Sequence, residues 1–349
     1  MNFFPYKNSE KTSWFVMSTV GFIEYLLAWL GFAFGIPLNV ILIRLIVRHT
    51  PKPMRIYSKI LLQTCVTDIL LLLITLLFNP NNFVTEKGET AVILYGLVTI
   101  KGMENRIWNL LAFICFVFLV YVSMFGYVSQ FIFRYFVLVR GKNISTPKYF
   151  LLFFLMLLFP FAYCVNLFIC YFPPAKHALM DDKSVAEILG INLDEQILLA
   201  GYSFNNIHLT IGFYYIITVC SFAYLIIFCL AFFIKKFMGI KSKSISLSAS
   251  EINKKMIEMN NQVSRNLLIQ ASMPLFIYLS VIFLIALLIF KIDTQGWKWL
   301  QYYNLLSSIP MFLPSVLNPI VSIWVINFYR RVLISDVKRL AKFLNIFHW

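Results

Sequence analysis

The sequence predicts an all-α membrane protein: a seven-transmembrane helix bundle with an extracellular N-terminus and a C-terminal amphipathic helix. Three observations predict it, namely the composition, the length of the apolar segments and the sidedness of positive charge. Of 349 residues, 60% are hydrophobic and 13% are charged, and the mean hydropathy is +0.79. Soluble domains carry about 25% charged and about 45–50% apolar residues, so the composition favours a lipid-embedded chain.

Seven apolar segments are long enough to cross a bilayer. A helix needs about 20 residues, at about 1.5 Å each, to span roughly 30 Å of hydrocarbon. The apolar segment 91–100 is too short and ends at Lys101, so we interpret it as interfacial or extracellular. Between an extracellular segment 1–20 and a cytoplasmic amphipathic tail 327–349, the predicted spans are residues 21–47, 60–78, 107–133, 149–172, 211–234, 267–290 and 300–326.

Positive charge is concentrated on one side of these spans. With the N-terminus outside, the inner segments hold twenty basic and three acidic residues, whereas the outer segments hold nine basic and ten acidic residues. The positive-inside rule predicts this asymmetry. The net charge of +15 then faces the anionic inner leaflet, so the basic balance indicates membrane lipids and no nucleic acid as partners.

The sequence contains no recognisable catalytic or metal-binding pattern. The four histidines lie in loops, tails or span ends, and HExxH and GxSxG motifs are missing. All six cysteines fall within spans, which is typical of small buried hydrophobic residues. We therefore expect no enzyme, no metal and no cofactor. A small-molecule carrier or ligand-gated channel stays open as an alternative, although carriers usually show internal repeats and several midplane ionisable residues.

Asp68 is the one ionisable residue predicted to lie at the centre of the bilayer. A charge there costs roughly 2.5–3.5 kcal/mol on insertion scales, so its side chain should face the bundle interior. Candidate partners are Asn39 in the first span and Asn318 in the seventh. We interpret the three as a polar node that links helices, the alternative being a protonated carboxyl in a purely structural hydrogen bond. Glu24 and Arg44, near the two ends of the first span, are expected to snorkel to the interfaces.

Prolines in the sixth and seventh spans predict bend points. Pro274 lies in the sixth helix, which should begin inside the cytoplasm near residue 249 because a capping box precedes it. Pro319 follows Asn318 in the seventh span. A proline inside a helix leaves backbone groups without partners, and here Asp68 and the neighbouring spans are expected to satisfy them.

Cationic and aromatic residues mark the predicted inner surface. Arg134, with Tyr135 after it, ends the third span in FIFRYFVLVRGK (131–142). This arginine either anchors the helix at the interface or contacts a cytoplasmic partner. Arg330 and Arg331 follow the seventh span, where alternating apolar and basic residues predict an amphipathic helix on the inner leaflet.

The outer loop 173–210 is the longest loop. Capping boxes predict two short helices in it, in DKSVAEILG (182–190) and NLDEQILLAG (192–201). A structured acidic lid over the outer mouth is one hypothesis, and a loop that merely connects two helices is the other.

Four segments carry a resemblance to a known family. They are TPKPMRIYSKILLQTCVTDILL (50–71), FIFRYFVL (131–138), LLIQASMPLF (267–276) and SVLNPIVSIWVINFYRRVL (315–333). In this order and spacing the chain resembles, over nearly its whole length, the nematode serpentine chemoreceptors, seven-helix G-protein-coupled receptors, and most closely class D. The resemblance implies a plasma-membrane receptor of sensory neurons or their cilia. Such a receptor recognises an odorant or pheromone-like small molecule and activates a heterotrimeric G protein.

The resemblance implies that Arg134 and Tyr135 lie at the G-protein coupling surface, Pro274 at the bend of the sixth helix, and Asn318 and Pro319 at a conformational switch in the seventh. From the residues themselves we add Arg330 and Arg331 to the coupling surface. For the same reason we add Asn39 and Asp68 to the conformational switch. A small, largely apolar ligand is expected between the outer halves of the helices, with candidate contacts Phe113, Phe116, Tyr214, Tyr215, Tyr302 and Asn304.

The chain departs from the pattern of rhodopsin-like receptors at three places. Phe133 precedes Arg134 where an acid is usual, which removes an arginine–acid lock at that point. Ile320, Val321 and Ser322 follow Asn318-Pro319, so the usual tyrosine is missing. The stretch GLVTIKGM (96–103) has no cysteine, which puts the usual outer disulfide in doubt.

Overall fold

The computed structural model describes residues 7–51, 55–84, 90–94, 96–98, 106–142, 144–171, 198–202, 207–246, 251–289 and 313–346. Long helices dominate these ranges. The helices are α1 (Lys7–His49), α2 (Arg55–Phe78), α3 (Arg106–Arg134), α4 (Thr146–Tyr171), α5 (Ile207–Ser246), α6 (Glu251–Ile289), α7 (Leu313–Val325) and α8 (Asn327–Ile346). The strands are β1 (Pro80–Val84), β2 (Thr90–Leu94) and β3 (Leu198–Tyr202).

Within the described residues, five helical segments are long and apolar enough to cross a membrane, and α7 is a shorter apolar helix. The five are Phe22–His49, Tyr57–Phe78, Ile107–Val139, Thr146–Cys170 and Thr210–Lys241. Their outward faces carry large exposed apolar side chains such as Phe154 and Phe232, and Trp324 does the same on α7. In water such faces would be costly, whereas in a bilayer they contact lipid.

Several helix ends differ from the predicted spans. Helix α1 begins at Lys7, inside the segment expected to be an extracellular tail. Helix α3 passes directly into a π-helical turn, Tyr135–Val139. Helix α5 continues to Ser246. The predicted start of the sixth helix near residue 249 agrees with the structure to within two residues, because α6 begins at Glu251. The first half of the predicted seventh span, residues 300–312, lies outside the described residues.

The outer loop also differs from its prediction. The second expected helix, 192–201, is wrong at its end because Leu198–Tyr202 forms strand β3. Its partner is β2, within the apolar segment that is too short to span. Tertiary pairing therefore overrides the local helix signal. The first expected helix, 182–190, lies outside the described residues.

Helix α3 lies at the centre of the bundle. Every residue from 124 to 131 is buried, so other helices surround α3 on all sides. One apolar core packs α3 against α4, α5 and α6. Its member Phe125 stacks on the exposed ring of Phe159 in α4, with the ring centroids 6.3 Å apart. A second core joins α1 and α2 to the end of α7 and the start of α8. The two cores leave a polar layer between α1, α2, α6 and α7.

Candidate functional site

The polar layer is built around a hydrogen-bonded pair, Asp68 in α2 and Asn318 in α7. The Asn318 side-chain amide donates to both carboxyl oxygens of Asp68, at 3.2 Å to Oδ1 and 2.9 Å to Oδ2. Both residues are 1% exposed. A polar group buried without a partner carries a large desolvation cost, so this pair ties α2 to α7 at the place where each needs a polar neighbour.

Asn39 in α1 satisfies the backbone group that Pro319 leaves open. A proline has no N–H, so the carbonyl four residues earlier in its helix has no intrahelical donor. In α7 this carbonyl belongs to Ser315, and Asn39 Nδ2 donates to it at 2.9 Å. The same amide group donates to the Gly35 carbonyl of its own helix, also at 2.9 Å. The structure thus brings together Asn39, Asp68 and the Asn318-Pro319 pair, as the sequence predicts for a polar node.

Two further buried amides extend the node from α7 to α6. Gln270 Nε2 donates to the Asn318 carbonyl at 3.2 Å and to the Ser322 hydroxyl at 3.0 Å. Asn266 Nδ2 donates to the same hydroxyl at 3.3 Å and to Gln270 Oε1 at 3.2 Å. Gln270 lies one helical turn before Pro274. The Ser322 hydroxyl therefore accepts hydrogen bonds from both α6 amides. This serine stands at the position where a rhodopsin-like receptor carries a tyrosine.

Arg134 is buried and does not lie at an aromatic interface. Its guanidinium is 1% exposed, and its Nη2 donates to the backbone carbonyl of Asn260 in α6 at 3.0 Å. The guanidinium carbon lies 5.0 Å from the centroid of the Tyr57 ring in α2, within the range of a cation–π interaction. The arginine thus holds α2, the end of α3 and α6 together. Within the described part of the chain it does so without an acidic partner, and the preceding residue is Phe133, where an acid is usual.

The other inner-surface residues are more accessible. Tyr135 is half-buried in the π-helical turn, with the guanidinium of Arg140 5.8 Å from its ring centroid. Arg330 is exposed and donates to Asn327 Oδ1 at 2.8 Å, and Arg331 is exposed beside it. The three place two exposed cations and an aromatic ring at the end of the bundle that holds α8.

Helix α8 is joined to α1 by a buried tyrosine. The hydroxyls of Tyr329 and Thr50 lie 3.0 Å apart, and the Thr50 hydroxyl donates to the Ile46 carbonyl at 2.6 Å. Burial raises the pKa of the Tyr329 hydroxyl, and the hydrogen bond with Thr50 opposes this with a smaller effect. The tyrosine stays neutral, so its hydrogen bond fixes the start of α8 against the end of α1.

The structure separates the predicted ligand contacts. Phe113 and Phe116 are buried on α3, and Tyr215 donates its hydroxyl to the Phe159 carbonyl of α4 at 3.2 Å. Tyr214 is 50% exposed and lies on an outward face of α5. Adjacent residues in a helix point about 100° apart because 3.6 residues make one turn, so neighbouring tyrosines cannot both face the interior. Tyr302 and Asn304 lie outside the described residues.

Glu24 differs from its prediction. Its side chain is only 4% exposed, so it does not snorkel to the outer interface. The carboxyl group of Glu24 therefore points into the protein. Arg44 is exposed near the inner end of α1, where a snorkelling cation is expected.

Sequence reasoning missed the α6 side of the site. Asn266 and Gln270 are four residues apart, which puts them on one face of a helix. Ser315, Asn318 and Ser322 are spaced by three and four residues and share one face of α7. These two polar stripes inside apolar helices are the signal that would have found the missing members.

Comparison with known proteins identifies the family to which these features belong. Residues 25–335 match the family described as serpentine type 7TM GPCR chemoreceptor Srd. The chain therefore belongs to this receptor family, which is not a class of enzymes. It is a multi-pass, seven-transmembrane protein, and the resemblance inferred from the sequence is confirmed.

Among solved structures, the chain is similar to the crystal structure of squid rhodopsin, with 13% sequence identity and a TM-score of 0.49. The similarity covers 97% of this chain and 88% of that chain. A search of curated proteins finds no match.

Proposed function

We propose that this chain is a G-protein-coupled chemosensory receptor in the plasma membrane of sensory neurons or their cilia. It binds a small external odorant or pheromone-like molecule between the outer halves of its helices and activates a heterotrimeric G protein at its inner face. The N-terminus is then extracellular and α8 lies on the cytoplasmic side. Membership of the chemoreceptor family supports the receptor role, and the placement of Arg134 supports the mechanism.

The buried Arg134 is the observation that carries the proposed mechanism. It reaches across to a backbone carbonyl of α6, so α6 cannot move outward without breaking this hydrogen bond. Breaking it frees the guanidinium for a new acceptor, and an inserted segment of a G protein would supply one. Tyr135, Arg330 and Arg331 surround the same end of the bundle and complete the proposed coupling surface.

The polar node is the proposed conformational switch. Asn39, Asp68 and Asn318 link α1, α2 and α7 through direct hydrogen bonds, while Pro274 and Pro319 provide points at which α6 and α7 bend. Hydrogen-bond networks of this kind have discrete arrangements. A ligand that prefers one arrangement by about 1–3 kcal/mol is enough to shift the population.

The proposed ligand is small and largely apolar. Of the six predicted contacts, Phe113, Phe116 and Tyr215 face other helices in the described structure. Tyr302 and Asn304 stay as proposals from sequence alone. Buried aromatic rings suit an apolar molecule, which is attracted mainly by surface burial.

A nucleotide-exchange assay with an odorant panel tests this proposal. The full-length protein, expressed in cells with a G protein, should respond to at least one volatile small molecule. The variant Arg134→Ala should reach the cell surface but lose this response. Arg44→Ala, which removes an exposed arginine from α1, is the matched control and should keep it. Full coupling in Arg134→Ala would overturn the assignment of Arg134.

A further inference from the structure

The outer end of α2 is held by a segment that returns to it from a β-hairpin. The amides of Gly96, Leu97 and Val98 donate to the carbonyls of Phe78, Leu76 and Leu77, at 3.1, 3.1 and 2.8 Å. These are carbonyls that a helix end normally leaves without partners. Three backbone bonds therefore fasten the chain after β2 to the last turn of α2.

Gly96 is required by this close approach. A Cβ atom at this position would lie 2.1 Å from the carbonyl oxygen of Leu77 and 2.4 Å from the Cα of Phe78. Real Cβ atoms do not come this close to backbone, so no other residue fits without moving α2 or the hairpin. The fastening thus has a recognisable sequence requirement.

The same hairpin pairs with the outer loop that precedes α5. Strand β2 is the middle strand of a three-stranded antiparallel sheet in the order β1-β2-β3. Ile93 pairs with Leu198, and Val92 pairs with Leu199. Val92 is also buried in the apolar core that contains Leu110 of α3. Backbone hydrogen bonds therefore connect the outer loop before α5, through β2, to α2. The apolar packing of Val92 connects the same strand to α3.

No disulfide contributes to this connection. All six cysteines are free, and they lie in helices α2, α3, α4 and α5. The connection between the outer loop before α5 and the end of α2 therefore consists of backbone hydrogen bonds.

We propose that this outer sheet transmits movement of the outer loop 173–210 along α2 to Asp68. The sheet comprises β1, β2 and β3, and residues 96–98 join it to α2. Asp68 lies ten residues before Phe78 in the same helix, a distance of about 15 Å at about 1.5 Å per residue. The intervening residues contain neither glycine nor proline, so α2 has no bend point between the sheet and the carboxyl group. A shift of β3 therefore displaces the Asp68 end of this rigid segment. The inference rests on the proposed receptor function only for the origin of the shift, which is a bound ligand.

Cysteine cross-linking in the full-length protein tests the fastening. Paired residues of antiparallel strands have Cα atoms about 4.5–5.5 Å apart, which suits a disulfide. Ile93→Cys with Leu198→Cys should form a cross-link under mild oxidation. The control pair, Ile93→Cys with Tyr202→Cys, has the wrong register because Tyr202 pairs with Thr90, and it should not. Equal yields from the two pairs, or no cross-link in the first, would overturn the proposal.

A thermal-unfolding cycle tests transmission to Asp68. Gly96→Ala and Asp68→Asn should shift the Tm non-additively when combined, because they act on one rigid segment. Gly239→Ala is the matched control, since a Cβ there meets nothing within 4 Å, and its shift should add to that of Asp68→Asn. Additive shifts in both cycles would overturn transmission.

If Gly96→Ala does not fold, the cross-link supplies the second perturbation. The Tm shift caused by Asp68→Asn is then compared between oxidised and reduced Ile93→Cys/Leu198→Cys protein, and equal shifts would overturn transmission. Neither measurement uses a ligand or a G protein. A failure of receptor signalling is therefore distinguishable from a failure of this inference.

Discussion

Asn39 in α1 donates a 2.9 Å hydrogen bond to the carbonyl oxygen of Ser315 in α7, the acceptor that Pro319 deprives of its helical donor. A helix-breaking residue in one helix is thus matched by a side-chain amide in another. This relationship explains how an almost wholly apolar helix accommodates a proline, because the carbonyl that the proline leaves open has a donor in α1. It also makes the asparagine and the proline dependent on each other.

The first prediction follows from this dependence. Asn39→Ala should lower the free energy of unfolding by about 1–3 kcal/mol, because it leaves a buried carbonyl without a donor. In the Pro319→Ala background the restored N–H satisfies that carbonyl within α7, so Asn39→Ala should cost clearly less. Thermal unfolding in detergent of the wild type, Asn39→Ala, Pro319→Ala and the double variant measures the coupling free energy between the two residues. Equal costs of Asn39→Ala in both backgrounds would mean that the two residues act independently.

The second prediction concerns Asp68. Asp68→Asn removes one of the two oxygens that accept from the Asn318 amide, so the variant should lose about 1 kcal/mol of stability. Its basal nucleotide exchange should also change, since the link between α2 and α7 is weakened. Thr75→Val is a suitable control. Its hydroxyl donates to the Leu71 carbonyl of its own helix and makes no hydrogen bond with α7 among the described residues, so exchange should stay the same.

Asp68→Asn also separates a receptor from a carrier or channel. Vesicles that contain only this protein should show no ligand flux or current, with either Asp68 or Asn at that position. A flux that changes with the substitution would favour the transport alternative, because carriers use midplane carboxyl groups directly.

Apolar segments long enough to cross a bilayer, and the Asp68 node, were predictable from the sequence, whereas the ends of several helices were not. Length and hydropathy are local properties, and a buried carboxyl needs polar partners wherever they lie. The hydrogen bond from Asn39 to the carbonyl freed by Pro319 was predictable only in part. A proline indicates that the carbonyl four residues before it has no helical donor. The sequence does not show which neighbouring helix supplies the replacement donor.

The outer sheet and the burial of Arg134 were not predictable in the same way. Strand β3 lies in a segment whose capping residues favour a helix. It forms a strand because its backbone pairs with that of β2, which is about 100 residues earlier in the chain. Arg134 looks like an interfacial cation, yet its partner is a backbone carbonyl, and a carbonyl exists at every residue. Contacts with backbone carbonyls therefore cannot be predicted from the composition of the sequence or from the spacing of its residues.

The third prediction tests the amide contacts between α6 and α7. Ser322→Ala removes the hydroxyl that accepts from both Asn266 and Gln270. Helix α6 is then held less tightly to α7, and ligand-independent nucleotide exchange should rise several-fold, which corresponds to a loss of about 1 kcal/mol from the closed state.

Ser129→Ala is the matched control for this substitution. Ser129 is as deeply buried as Ser322, both being 0% exposed, but its hydroxyl donates to the Phe125 carbonyl of its own helix. Basal exchange should therefore stay at the wild-type level. An equal rise in both variants would attribute the effect to lost packing rather than to the contact between helices.

The last prediction concerns Tyr57, whose ring lies 5.0 Å from the guanidinium carbon of Arg134. Tyr57→Leu keeps an apolar side chain but removes the π-system, and a buried cation–π contact contributes about 2 kcal/mol. The buried cation is then less well stabilised, so the open state gains and basal exchange should rise. Tyr57→Phe keeps the ring and should behave like the wild-type protein. Combined with Arg134→Ala, Tyr57→Leu should have no further effect on exchange, and an additive effect would show that the ring acts through another contact.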